Sequence, residues 1–322
     1  MIGIKGIATF FAGKKVTTAN LIAGAKLEKD EHGYFNSIGI DTLYNADTYE
    51  GFDLAKEAAV KVLQNTNIDA ASISLVIYIQ NRLLQYLMSS NAARLQYEIG
   101  AVNANAFSVS DMGCTDMTMA IKIAKDFLIA NTEAQTVLIA YGNKPYAPSR
   151  FRFPVTINGD GGIALLICRT NDNQILDINI KTQGNYWDLF QVVYQDKKFS
   201  DYKELCASQR KYGFELAIES KLRLLKLNEE VLDRNGLEKN DIHHYLIQNL
   251  STRSYQFYES SFGIKLSAVC QLNLKKYGHL GPGDVMLNYL TGIETGLFQK
   301  GDKVLVMNSS PVAAWSNILL QV

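Results

Sequence analysis

Short apolar runs alternate along this chain with segments in which apolar residues recur at helical spacing. Seven apolar runs rich in β-branched residues predict strands, at residues 73–80, 106–110, 136–141, 162–168, 175–180, 244–248 and 303–307. Six amphipathic segments predict helices, at residues 53–64, 91–99, 115–130, 212–225, 252–262 and 284–298. The alternation of the two patterns predicts an α/β fold.

The two halves of the pattern are similar to each other. Ile79-Gln-Asn81 ends one predicted strand and Ile247-Gln-Asn249 ends another, and each is followed at almost the same distance by a similar apolar triplet, Val137-Leu-Ile and Val304-Leu-Val. An internal duplication explains this spacing, and chance is the alternative. A duplication makes the segments around Cys114 and His279 counterparts, and we expect their strand-to-helix turns to meet near an approximate two-fold axis.

Composition excludes several classes of protein. Equal numbers of basic and acidic residues, 32 of each, give no reason to expect nucleic acid or an anionic membrane as partner. No apolar run approaches the length of about 18 residues that a membrane span needs. The four cysteines lie far apart, which is typical of a reducing compartment, so we expect a cytoplasmic protein.

Cys114 is the candidate nucleophile because it directly precedes the predicted helix at residues 115–130. The N-terminal end of a helix favours thiolate over thiol, and its free N–H groups can bind a developing oxyanion. The alternative is a small buried hydrophobic residue. We assign that structural role to Cys168 and Cys270, which both lie in sequence contexts that favour strands.

His279 is the best candidate for a base among the four histidines. It stands in a glycine-rich turn before a predicted helix, where the backbone can approach a ligand closely. His243 and His244 lie near a strand start and favour local hydrogen bonds, and His32 lies in a charged loop. No spacing fits a metal site, so no bound metal is expected.

Five features, taken in order, resemble the thiolase superfamily and within it the type III ketoacyl-ACP synthases. They are the cysteine at position 114 before a long helix, the Gly159-Asp-Gly turn, the strand end at Gln248, the Tyr277-Gly-His turn and Trp315 near the carboxyl end. The resemblance extends over nearly the whole chain.

The resemblance implies a five-layered α-β-α-β-α fold of two pseudo-symmetric halves, which we place at residues 1–170 and 171–322. It also implies a homodimer, or a heterodimer with a related subunit, in which Cys114 is acylated by a thioester and passes the acyl group to a second substrate. No permanently bound cofactor is expected. The donor is an acyl-CoA or an acyl-phosphopantetheine carried by an acyl carrier protein.

The sequence departs from the family at the second and third catalytic positions. A histidine of the type III synthases is replaced by Gln248, and an asparagine is replaced by His279. The only titratable group therefore changes position, so His279 is expected to act as the base while Gln248 orients a carbonyl or a water. Pro311 stands where the resemblance places an oxyanion N–H, and proline has none. Either Ser309, Ser310 or Val312 substitutes for it, or the alignment slips by one residue, or activity is low.

The donor site is predicted from the same resemblance. Arg152 matches an arginine used against coenzyme A, with an ordinary surface role as the alternative, and Tyr34 is the candidate replacement for a missing adenine-stacking tryptophan. A basic rim of Arg150, Arg152 and Arg253 could equally grip a carrier protein. Met112, Met117, Met119 and residues 84–88 are candidates for an acyl tunnel, with core or dimer interface as the alternative.

These residues favour an acyltransferase of specialised fatty-acid, polyketide-type or natural-product biosynthesis. One alternative is a ketosynthase that makes a β-keto product by Claisen condensation. Another is a non-catalytic ketosynthase-like subunit. The sequence leaves open the acyl chain, the acceptor and the choice between coenzyme A and carrier protein.

Overall fold

The computed structural model describes residues 1–81, 84 and 86–322. The strands in these ranges are β1 (Ile2–Phe10), β2 (Lys14–Thr17), β3 (Thr42–Asn45), β4 (Leu75–Ile79), β5 (Asn105–Val109), β6 (Thr136–Asn143), β7 (Phe151–Arg152), β8 (Thr156–Ile157), β9 (Gly161–Arg169), β10 (Gln174–Thr182), β11 (Phe190–Val192), β12 (Glu204–Cys206), β13 (His244–Leu246), β14 (Lys303–Ser310) and β15 (Ala314–Gln321). The helices are α1 (Thr18–Gly24), α2 (Lys29–Ser37), α3 (Gly51–Thr66), α4 (Asn91–Ile99), α5 (Asp116–Ala130), α6 (Ala217–Arg234), α7 (Thr252–Phe262), α8 (Ala268–Tyr277) and α9 (Asp284–Glu294).

The predicted strands and helices are all present, with ends that differ by a few residues. The predicted helix at 212–225 begins as a wide π-helical segment, Lys211–Leu216, and continues as α6 to Arg234. The predicted helix at 284–298 ends earlier, at Glu294, because Gly296 adopts a positive φ of 68°. The strand context predicted for Cys270 is wrong, since this residue lies buried in α8.

Nine strands form one large sheet in the order β13-β14-β15-β10-β1-β9-β6-β4-β5. β4 runs parallel to β5 and β6, and β13 runs parallel to β14. The other neighbouring pairs in this order, from β6–β9 to β14–β15, are antiparallel. A single residue pair, Gly3 with Gln174, joins β1 to β10. The sheet therefore consists of two runs that meet at one narrow seam.

The two runs have the same strand order. Reading β1, β4, β6 and β9 as equivalents of β10, β13, β14 and β15 makes the sequence of strands across each run identical. The equivalent of β5 is reduced to one parallel bridge between Tyr245 and Leu266. This agreement supports duplication, and the division at residue 170 stays a prediction.

Two helices lie between the runs. α5 contacts β4, β6 and β9 of the first run and β10 and β15 of the second, and α9 contacts β1, β13 and β14. α3 and α4 cover the outer face of the first run, while α6 packs on β10 and β15. The predicted α/β class and the α-β-α-β-α layering are confirmed, with α5 and α9 as the inner helices between the two runs. No helix in the described ranges is long and apolar enough to cross a bilayer.

Candidate active site

Cys114 lies in a tight 3₁₀ turn, Gly113–Thr115, that leads directly into α5. Gly113 has a φ of 57°, and a side chain there would collide with the Ser310 hydroxyl, so the turn requires glycine. The Asn308 side-chain amide donates to the Cys114 carbonyl at 2.7 Å. Both contacts fix the cysteine at the helix start, with 5% of its surface exposed.

His279 is held by the tight turn at Gly159. The His279 N–H donates to the Ile157 carbonyl, and the Gly159 N–H donates back to the His279 carbonyl, each at 3.0 Å. A side chain on Gly159 would strike the Tyr277 carbonyl, so only glycine allows this approach. The turn therefore connects residues 157–159 to the segment of His279 beside the predicted site.

Three side chains form a continuous line of polar contacts. Cys114 Sγ lies 3.6 Å from His279 Nε2, and His279 Nδ1 lies 2.6 Å from Asp284 Oδ2. A carboxylate only accepts, so Nδ1 carries a proton and donates it to Asp284. His279 and Asp284 are almost completely buried. The arrangement is that of a nucleophile, a base and a group that orients the base.

Asp284 is anchored by its own helix start and by a neighbouring strand end. Its Oδ1 accepts from the Leu280 N–H at 2.7 Å, and its Oδ2 accepts from the Asn249 N–H at 2.9 Å. As the first residue of α9 it also lies at the positive end of the helix dipole. These donors compensate for burying the carboxylate.

The Asp284 carboxylate has a strong effect on the pKa of His279. Burial acts to lower the pKa of His279, but the Asp284 carboxylate and Cys114 outweigh it and raise this pKa to about 10. The raised pKa favours the protonated form of the His279 imidazole at neutral pH.

The two turns are related by a constant spacing. Met112 and Leu280, Gly113 and Gly281, and Asp116 and Asp284 each lie 168 positions apart. Both glycines have a φ of 57°, and both aspartates accept from the backbone N–H four residues earlier, at 3.0 Å in the first turn and 2.7 Å in the second.

This spacing corrects the expected correspondence. The turns are counterparts, but position 111 matches 279 and position 114 matches 282, so Asp111 is the equivalent of His279. The nucleophile and the base therefore come from different places within equivalent turns.

Two cavities meet at this line. The larger, of about 630 Å³, extends toward the hairpin of β11 and β12, and the smaller, of about 350 Å³, extends toward α7 and the start of α6. Residues that line both are Cys114, Arg152, His279, Ser310 and Pro311. Cys114 can thus be approached from two different sides.

Gln248 lies at the smaller cavity, but its amide is occupied. Its Nε2 donates to the Ser309 carbonyl at 2.9 Å and to the Ser309 hydroxyl at 2.7 Å, and its Oε1 accepts from the Ser309 N–H at 3.2 Å. Both amide hydrogens are used, so Gln248 fixes the position of Ser309.

The three predicted arginines lie in different surroundings. Arg152 lines both cavities, is paired with Glu204 at 2.6 Å and lies over the Phe190 ring. Arg150 is bonded to Asp160 and Asn45 inside the fold. Arg253 is exposed at the smaller cavity.

The remaining candidates have structural surroundings. Tyr34 lines the smaller cavity and donates to the Val155 carbonyl at 2.9 Å. His244 is 3.1 Å from Asp302, away from Cys114 in the fold. Met117 is buried in the core, Leu87 is exposed, and position 85 of the predicted tunnel lies outside the described residues. In the described ranges no three His, Cys, Asp or Glu residues are placed to hold a metal.

Sequence reasoning missed Asp284 and Glu204. Asp284 carries a signal in its position, five residues after His279 and first in the predicted helix, but an aspartate there is also an ordinary helix cap. Glu204 lies in a polar stretch with no local pattern, and only the fold brings it to Arg152.

Comparisons with known proteins show which proteins the chain is similar to. Residues 232–322 match the family model for the C-terminal part of 3-oxoacyl-[acyl-carrier-protein (ACP)] synthase III. The chain is 23% identical to a beta-ketoacyl-[acyl-carrier-protein] synthase III of Campylobacter jejuni over 99% of its length and 97% of the relative's. Among solved structures, ChlB3, described as an acyltransferase, covers 100% of this chain and 97% of its own at 18% identity and a TM-score of 0.85. The 3-oxoacyl-[acyl-carrier-protein] synthase III of Aquifex aeolicus covers both chains completely at 19% identity and a TM-score of 0.81.

Proposed function

We propose that this protein, which belongs to the thiolase superfamily as a ketoacyl-ACP synthase III-like member, is an acyltransferase with a Cys114–His279–Asp284 catalytic triad. The observation that carries the proposal is the line of contacts from Sγ through the imidazole to the carboxylate, 3.6 Å and 2.6 Å long. Cys114 takes an acyl group from a thioester and gives it to a nucleophile with an oxygen, nitrogen or sulfur atom.

In the first half-reaction the Cys114 thiolate attacks the thioester carbonyl. The bond between the acyl carbon and the donor sulfur breaks, and the departing thiolate takes the proton from His279 Nε2. The products are S-acyl-Cys114, a free donor thiol and a neutral imidazole. The neutral imidazole can then accept the proton of the second substrate.

The oxyanion of each tetrahedral intermediate needs donors near the helix start. Cys114 N–H lies in the first turn, where a helix leaves its amides without an intrahelical acceptor. Ser309 is bonded to Gln248, and the Val312 N–H donates to the Ser310 hydroxyl at 3.4 Å. We therefore assign the second donor, in place of the N–H lost at Pro311, to the Ser310 hydroxyl, which lines both cavities.

Transfer to a heteroatom fits this site better than carbon–carbon bond formation. A decarboxylative condensation creates an enolate that needs side-chain donors of its own, and the Gln248 amide hydrogens are already bonded to Ser309. Claisen condensation remains the second candidate because the curated relative from Campylobacter jejuni is a ketoacyl synthase. Release of carbon dioxide from a malonyl thioester, with a β-keto product, would favour it.

The donor is proposed to be an acyl-CoA or the acyl-phosphopantetheine of a carrier protein. Arg253, which is exposed at the smaller cavity, is the cation that would meet its phosphates. Arg152 also lines this cavity, but it would have to exchange Glu204 for a phosphate. Arg150 is committed to Asp160 and is left out of this proposal.

A dimer is proposed from the edge of the large sheet. In the described part of the chain β5 pairs only with β4. Phe107 in β5 is exposed, as are Tyr97 in α4 and Val102 in the segment that leads from α4 into β5. A free edge with exposed apolar residues is typical of a contact surface. Light scattering on the purified chain distinguishes a homodimer from a monomer that awaits a related subunit.

Intact-mass measurement tests the acyltransferase directly. The wild-type protein, incubated with a panel of acyl-CoA and acyl-pantetheine thioesters, is expected to gain one acyl mass, and Cys114→Ala to gain none. Cys206→Ala is the matched control, because this half-buried cysteine lies in the β12 hairpin strand and not at the triad. No adduct with any donor would favour a non-catalytic subunit.

A further inference from the structure

Arg152 and Glu204 form an ion pair where the two cavities meet. Arg152 Nε lies 2.6 Å from Glu204 Oε2, and the two side chains are only 15% and 11% exposed. Neither of these atoms has a hydrogen-bond partner elsewhere in the described part of the chain. The two groups therefore neutralise each other, and separating them would leave a largely buried charge without a partner.

A hairpin that is separate from the large sheet holds this pair in place. Glu204 is the first residue of β12 and pairs with Val192 of β11. The Arg152 guanidinium lies 5.0 Å from the centre of the Phe190 ring, which is also in β11. Arg152 is thus fixed by an aromatic ring and a carboxylate that come from the same hairpin.

The position of Arg152 makes the ion pair relevant to the acyl group. An acyl group on Cys114 Sγ extends into one of the two cavities, and Arg152 lines both of them. Outside the triad and the ion pair, the described lining has one further charged residue in each cavity, Asp111 in the larger and Arg253 in the smaller, and both are exposed. Water and salt screen exposed charges, so Arg152 is the largely buried cation of the described lining that an acyl group can meet.

We propose that Glu204 determines specificity by occupying Arg152, so that Cys114 accepts acyl groups without a negative charge and rejects those that end in a carboxylate. The inference rests on the proposed acyl transfer and goes further by naming the class of acyl group. An acyl carboxylate could pair with Arg152 only by displacing Glu204, whose own carboxylate would then be buried without a partner. An uncharged acyl group leaves the ion pair intact.

The covalent step that this selection controls is the acylation of Cys114. Cys114 Sγ bonds to the acyl carbon, the bond from that carbon to the donor sulfur breaks, and the departing thiolate takes the proton of His279 Nε2. Arg152 and Glu204 exchange no proton in this step, and they act on the acyl group only through charge.

Monothioesters of dicarboxylic acids and their terminal amides test the charge directly. Each acid, from malonyl to pimeloyl, has nearly the same shape as its amide, and only the acid is charged at neutral pH. All are supplied as N-acetylcysteamine thioesters, which carry no phosphate that could compete for Arg152. The rate of acylation of Cys114 is followed by intact mass at every chain length whose amide acylates the wild-type protein.

The wild type is expected to react with the amide about tenfold faster than with the acid, because the acid must break a largely buried ion pair. Glu204→Gln keeps the shape of the side chain and frees Arg152, so the acid should gain about tenfold relative to the amide. The double variant Arg152→Gln with Glu204→Gln, which removes both charges, should lose this gain. Asp201→Asn is the matched control, since Asp201 lies three residues before Glu204, is exposed and is outside the lining of both cavities.

Each result has a distinct meaning. If no thioester of any kind acylates Cys114, the proposed function fails and this inference fails with it. If adducts form but the wild type takes acid and amide equally, or no amide of the series reacts, the inference alone is overturned, and this result needs no variant. It is also overturned if Glu204→Gln, shown to be folded by its thermal midpoint, keeps the wild-type ratio, or if Asp201→Asn or the double variant shows the same gain. A gain confined to Glu204→Gln supports it.

Discussion

The turn that carries Cys114 and the turn that carries His279 are built alike but do different chemistry. Each has a glycine at a φ of 57°, a short 3₁₀ segment and an aspartate that opens an inner helix and accepts from the backbone four residues earlier. In the first turn the reactive group lies after the glycine, within the 3₁₀ segment. In the second it lies before the glycine, where its ring reaches Asp284.

The difference shows how a repeated unit can produce an asymmetric site. The shared features, glycine and aspartate, serve the backbone and exist in both turns. The chemistry depends on what stands at two further positions, which hold Asp111 and Cys114 in one turn and His279 and Pro282 in the other. Asp284 has a second role, the orientation of an imidazole, because a histidine stands five residues before it where the first turn has an aspartate.

The largest expected effect comes from removing the base of the second turn. His279→Ala should slow acyl transfer by about 10³-fold, because no other titratable side chain contacts Cys114 in the described residues. Gln248→Ala, which removes a group bonded to Ser309, should cost about tenfold or less. Single-turnover rates of acylation and deacylation measure both variants. Equal and small losses would mean that the catalytic machinery lies elsewhere.

Variants of Asp284 and Asp116, the first residues of α9 and α5, can distinguish a catalytic role from a helix-capping role. Asp284→Asn should slow transfer by about 10²- to 10³-fold, since an amide can present the wrong group to Nδ1 and leaves the imidazole misoriented. Asp116→Asn keeps an oxygen that accepts from the Met112 N–H and should have a much smaller effect on the rate. The ratio of the two rates, with thermal midpoints as a folding control, makes the comparison. Similar rates for both variants would contradict an orienting role for Asp284.

Much of the fold follows from local sequence patterns. Apolar runs such as residues 136–141 and 162–168 become central strands because they are buried on both faces, and the helix at 91–99 matches its predicted range. α8 was harder to predict. Its apolar residues around Cys270 suit a strand equally well, and it forms a helix where it packs on α9 and β3.

Part of the candidate site could also be predicted from local sequence patterns. Cys114 and His279 stand next to glycines at strand-to-helix turns, and such turns leave a signal in the sequence. The use of Asp284 and the pairing of Arg152 with Glu204 depend on contacts between distant elements. Position alone could not show that Gln248 is bonded to Ser309, because the sequence does not reveal which way an amide points.

The last expected effect is on the free energy of unfolding and not on the rate, and it depends on pH. The pKa of His279 is raised in the folded protein, to about 10, whereas an unfolded histidine titrates near pH 6.5. A raised pKa stabilises the fold fully below the unfolded value and loses this contribution as the pH rises through the folded value. The free energy of unfolding of the wild type minus that of Asp284→Asn should therefore be largest near pH 6. This difference should fall toward pH 10 by at most about 1.4 kcal/mol per pH unit.

Denaturant unfolding of both proteins at matched pH values measures this difference. Asp116→Asn is the control, and its difference from the wild type should stay nearly constant with pH. A difference for Asp284→Asn that did not change with pH would show that the imidazole is uncharged in the fold, and the ion pair beside Cys114 would have to be abandoned.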